Sequence, residues 1–121
     1  MPKPEDRFKA RILKDLKSYP GKWFATPRSR YATAGVSDII GCYFGLFMAV
    51  EIKRPDGVGY YGVTPTQQRF LDAVVNNGGW SFVVEDNVSY TAFKAVLGQT
   101  WRLKDPQGWA ASLEGQGQQH V

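Results

Sequence analysis

Three ionisable residues stand where the sequence is otherwise apolar. Asp38 opens the run Ile39-Ile40-Gly41-Cys42-Tyr43, and Glu51 and Lys53 close the run that starts at Leu46. Charged side chains are costly inside apolar strands, so three at one end of a hairpin need a reason. A turn centred between Phe44 and Gly45 pairs residues whose numbers add to 89, which sets Asp38 directly opposite Glu51. Opposed residues in an antiparallel pair share a face, with Cβ atoms roughly 4.5–5.5 Å apart. Glu51 and Lys53 are two apart and share that face as well. A slip of one residue would send Asp38 to the other side of the sheet.

Two carboxylates this close repel and shift each other's pKa. A divalent cation between them removes the conflict, and hard oxygen ligands suit Mg²⁺ or Mn²⁺. Such an ion acidifies its bound water and neutralises charge on a phosphoryl oxygen. Lys53 then stands where it can orient the attacking water or help to deprotonate it. The plain alternative is a charged strand end in which Lys53 only pairs with Glu51.

The ordered set is more specific than its parts. Gly35-Val36-Ser37-Asp38-Ile39-Ile40-Gly41, then Val50-Glu51-Ile52-Lys53-Arg54-Pro55-Asp56-Gly57, then Thr64-Pro65-Thr66-Gln67 opening a helix, resembles the VRR-NUC branch of the PD-(D/E)XK nucleases. The resemblance runs from about Glu5 to Glu85 and is to standalone, phage- or bacterial-type members. One departure is Ser37, where many members have proline, a position that is not a ligand. The resemblance implies a restriction-endonuclease-like core, Mg²⁺ or Mn²⁺ as cofactor, and hydrolysis of phosphodiester bonds in DNA. It gives Asp38, Glu51 and the main-chain carbonyl of Ile52 the metal, and Lys53 the water. A glutamate on the first helix and a glutamine on the helix after the hairpin complete such sites. Glu5 matches the first, with Asp6 as second choice. Gln67 matches the second, with Gln68 its neighbour. Standalone members resemble junction resolvases of DNA repair and recombination, so the expected substrate is branched DNA, such as a four-way (Holliday) junction, cut by a homodimer.

The elements that must position these residues can be read in order. Residues 5–18 predict a helix, with acids in its first turn, Phe8, Ile12 and Leu16 as its buried stripe, and Pro20-Gly21 as its stop. Glu5 continues that stripe; a cap or dipole partner is its plain alternative. A strand follows over about 22–26, then a basic loop. Arg28 and Arg30 there, with Arg54 after the hairpin and Arg69 on the next helix, are candidate phosphate contacts; a solvated basic loop is the alternative. Tyr60 and Tyr61 fill a loop or stack on nucleic acid. The hairpin spans 37–43 and 46–54, apolar on both faces, so the sheet is covered on both sides. Thr64-Pro65 caps a helix carrying Phe70, Leu71, Val74 and Val75 inward and ending at Asn76-Asn77-Gly78-Gly79. Trp80–Glu85 reads as the last strand, and residues 89–97 as a helix burying Tyr90, Phe93 and Val96. From Gly98 the pattern decays, and Trp101, Leu103 and Trp109 suggest a short packed or partner-binding segment.

The expected fold class is α/β, a central mixed sheet flanked by helices. One domain covers residues 1–113, and the Gly- and Gln-rich 114–121 predicts a flexible tail. A net charge of +4 and a pI near 9.3 favour an anionic partner without proving one. Cys42 is the single cysteine, which excludes a disulfide within the chain, and it reads as a small core residue. His120, the single histidine, lies in the tail, which argues against a histidine-dependent triad or a zinc site. With no apolar leader or spanning run, a cytoplasmic protein is expected, in the host cell if phage-encoded, with neither membrane nor nucleotide cofactor as partner. Two competing readings are a non-catalytic nucleic-acid-binding module on the same fold and a sequence-specific restriction enzyme. The latter needs a base-reading element, and no candidate for one stands out.

Overall fold

The computed structural model describes residues 4–27, 34–53 and 62–119; for residues 4, 5 and 115–119 it describes the backbone only. Eight elements follow in order: α1 (Pro4–Leu16), β1 (Lys22–Ala25), β2 (Ile39–Tyr43), β3 (Leu46–Ile52), α2 (Pro65–Asn76), β4 (Trp80–Val84), α3 (Asn87–Lys104) and α4 (Pro106–Gln119). The four strands form one mixed sheet in the order β1-β2-β3-β4, antiparallel twice and then parallel. α2 makes the crossover that a parallel pair requires. The protein is thus α/β, with helices on a central mixed sheet as its composition of runs predicts.

The hairpin has the predicted register. Ile39 pairs with Val50, Gly41 with Met48 and Tyr43 with Leu46. Phe44 (φ 51°) and Gly45 (φ 79°) both lie in the left-handed region, the mark of a type I′ two-residue turn. Glycine takes that conformation freely and phenylalanine does not. The Phe44 ring stacks edge-on against Tyr43, at 4.8 Å between centroids.

One face of the sheet carries the core. Ile39, Tyr43, Met48, Val50, Ile52 and Val84 meet Phe8, Ile12 and Leu16 of α1 and Tyr90, Phe93 and Leu97 of α3. Tyr43 donates its hydroxyl to the Leu97 carbonyl at 2.7 Å, tying β2 to α3. The other face carries α2 over β3 and β4, where Ser81 Oγ donates to the Leu71 carbonyl at 2.8 Å. α2 does not extend over β1 and β2. Cys42, expected in the core, is therefore exposed, because among the described residues no helix lies over its side of β2. Val75, expected on the buried stripe of α2, is likewise exposed, while Leu71 is buried.

Beyond Gly98 the helical backbone continues where decay is expected. α3 runs to Lys104, breaks at Asp105, and α4 folds back upon it. Gly98 eases this close approach: a Cβ there would lie 3.2 Å from the Trp109 ring, tighter than an ordinary contact. Trp109 stacks on Trp101 at 5.7 Å, and Trp101 on Tyr19 at 5.9 Å. The late tryptophans are thus used within the chain. The α4 backbone continues through Gln119, into the segment for which glycine and glutamine predict a tail. Among the described residues no helix is long and apolar enough to cross a membrane.

Two glycines with positive φ should separate by their surroundings. Gly45 faces open space, so Gly45→Ala should cost only the left-handed backbone, about 1–2 kcal/mol. Gly21 (φ 90°) lies against the Cys42 carbonyl, which an added methyl would strike. Urea denaturation should find Gly21→Ala the more destabilising by at least ~1 kcal/mol.

Candidate active site

Asp38 stands one residue before β2, and its backbone is gripped by β1. The Thr26 N–H donates to the Asp38 carbonyl at 2.9 Å, and Thr26 Oγ1 donates to the carbonyl of buried Ser37 at 2.7 Å. The Asp38 side chain then extends the ladder that its backbone has left: the Ile52 N–H donates to Asp38 Oδ2 at 2.8 Å. The carboxylate is thereby fixed at the end of the sheet, in the register that sets it across from Glu51.

Glu51 points to the α2 side and is only 3% exposed. Its Oε1 accepts from Gln67 Nε2 at 2.9 Å and lies 3.5 Å from Lys53 Nζ. Its Oε2 is buried without a hydrogen-bond partner among the described residues. Burial, and then the charge of Asp38, push the Glu51 carboxyl up to about 8; Lys53 pulls the other way and is outweighed. A proton between the two acids would satisfy Oε2, and so would a cation.

Gln67 is the bracket between the acid and the amine. It sits at the third position of α2, where Thr64 caps the helix: Gln67 N–H donates to Thr64 Oγ1 at 3.1 Å. The Gln67 Oε1 accepts from the Thr64 N–H at 2.9 Å and from Lys53 Nζ at 2.8 Å. These contacts determine the amide's orientation, since a flipped group would set NH₂ against two donors. A capping box thus doubles as the clamp that holds Glu51 and Lys53. Gln68, the neighbouring candidate, faces away and donates to Asp72 at 2.8 Å.

The remaining candidates fall differently. Arg69 is exposed and bonds Thr66 within α2 at 3.1 Å. Glu5 lies in the first turn of α1, with its side chain outside the described part. Arg28, Arg30, Arg54, Tyr60 and Tyr61 lie outside the described residues. One charged neighbour escapes the sequence reading: Lys9 of α1 lies 3.7 Å from Asp38 Oδ1. The signal for it was its place four residues after Glu5, on the same side of the helix.

The donor set can be weighed against a metal. Among the described residues no three His, Cys, Asp or Glu side chains gather. Two carboxylates, one with a buried oxygen that no described residue meets, do fit a hard divalent ion completed by main chain and water. No family model, curated protein or solved structure matches this chain.

A carboxyl whose pKa is higher folded than unfolded favours folding while it holds its proton. That contribution is whole below the ordinary carboxyl range and fades as pH rises from about 4.5 toward about 8. In the presence of a chelator, unfolding free energy should therefore lose more across pH 5 to 8 in the wild type than in Glu51→Gln. Parallel pH profiles from urea unfolding would contradict this.

Proposed function

We propose that the chain is a metal-dependent DNA endonuclease of the VRR-NUC kind, built on a restriction-endonuclease-like core, that hydrolyses phosphodiester bonds. The observation that carries this reading is the buried Glu51 carboxylate, set across from Asp38, with Oε1 beside Lys53 and Oε2 without a hydrogen-bond partner among the described residues. A buried carboxylate oxygen with no donor beside it carries a desolvation cost that a proton shared with Asp38 or a bound cation would offset.

Asp38, Glu51 and the Ile52 carbonyl would hold Mg²⁺ or Mn²⁺. Bound there, the ion would supply an acidified water and neutralise charge on the phosphoryl oxygen. The chain's own groups do the rest. Lys53, clamped by Gln67, orients the attacking water and stabilises the charge that grows on the phosphate. The water oxygen bonds to phosphorus, its proton departs, and the bond to one bridging oxygen breaks; that oxygen takes up a proton. Glu5 is the supporting carboxylate, and Arg28, Arg30, Arg54 and Arg69 carry the backbone contacts. The surplus positive charge of the chain favours such a polyanion. Selectivity comes from DNA shape on this reading, best met by two copies of the chain on branched DNA.

Asp38→Ala and Lys53→Met should each lose cleavage by about a hundredfold or more while keeping fold and DNA binding. Either variant cutting at the wild-type rate would refute the assignment. Mg²⁺-dependent cleavage of a four-way junction, a flap and a plain duplex should favour the junction. Equal rates on all three would remove the structure-selective part, and a monomer in sedimentation, alone and with junction DNA, would remove the dimer.

A further inference from the structure

Lys9 has no part in the mechanism above, yet it is built into the site. Its Nζ lies 3.7 Å from Asp38 Oδ1, and the two side chains are only 12% and 13% exposed. α1 packs on the core face of the sheet through Phe8, Ile12 and Leu16, so Lys9 reaches Asp38 at the end of β2 from the layer opposite α2. The carboxylate it meets already accepts the Ile52 N–H through its other oxygen. The carboxylate across from it has an oxygen with no hydrogen-bond partner among the described residues. The ammonium thus neutralises one of the two acids that a divalent ion would need together.

A divalent ion and an ammonium on one carboxylate repel each other strongly in so enclosed a place. Lysine's long stem allows the ammonium to move several ångströms without any shift of α1, and it binds phosphate as a point charge. A phosphodiester arriving at the site brings the anion that a displaced Lys9 needs.

We propose that Lys9 is an exchangeable counter-ion. It pairs with Asp38 in the metal-free protein and transfers to the DNA phosphate when the cation enters, so that cation and DNA each tighten the other's binding. Linkage makes that effect reciprocal. Lys9 is on this account a positioning residue whose charge sets the coupling, and the proposal rests on the metal-centred reading above.

Calorimetric titration with Ca²⁺, alone and with saturating junction DNA, reads the coupling apart from cleavage. In the wild type, DNA should tighten Ca²⁺ binding by about tenfold. Lys9→Met should bind Ca²⁺ about tenfold more tightly than wild type without DNA and lose most of the enhancement by DNA. Lys9→Arg, which keeps the charge, should restore the wild-type pattern. Thermal melting checks the fold, and Lys9→Gln replaces the methionine variant if that one is unfolded. A charge-removing variant with unchanged or weaker Ca²⁺ affinity, beside a wild type that binds, overturns the counter-ion role alone. A wild type that binds neither Ca²⁺ nor Mn²⁺ overturns the metal reading and this proposal with it.

Discussion

Two carboxylates facing each other at the end of an antiparallel pair repel, and the rest of the chain is arranged so that they cannot move apart. The type I′ turn at Phe44-Gly45 sets the pairing, and with it the meeting of Asp38 and Glu51. Thr26 fixes the backbone at Asp38, and the Ile52 N–H holds its side chain. Gln67 holds Glu51 from above the sheet. Burial then makes the repulsion costly, which is why the Glu51 carboxyl is pushed so far from its usual range. Such a pair is poised to take up either a proton or a cation.

The supporting groups come from three layers. The sheet supplies the acids and Lys53, α2 supplies Gln67 and α1 supplies Lys9. Each helix is anchored away from the site, α1 by its stripe on the core face and α2 by Leu71, while the Thr64 cap ties the start of α2 to the site itself. The capping box is the economical part: the amide that starts α2 also reaches two charged side chains. Helix formation and site assembly therefore depend on the same hydrogen bonds.

Much of this was legible in the sequence, for identifiable reasons. A two-residue turn and a period of two determine register, so the opposition of residues 38 and 51 follows from counting. The threonine–proline start of α2 places Gln67 one turn in, where its side chain can fold back. The exposure of Cys42 is not legible because a strand's own pattern does not tell how far the covering helix extends. The place of Lys9 is not legible because a lysine beside an apolar stripe reads as solvated surface until the end of the neighbouring strand is located. The continuation of α3 past Gly98 was hidden by the glycine itself, whose missing side chain makes room for Trp109. Glycine in a helix interior ordinarily counts against the helix.

The most direct measurement is anomalous diffraction from crystals grown with Mn²⁺. A single strong peak should touch one oxygen of Asp38 and the buried Oε2 of Glu51, with the Ile52 carbonyl as a third contact. Crystals with Mn²⁺ in the solution but no peak between these two carboxylates would contradict the account.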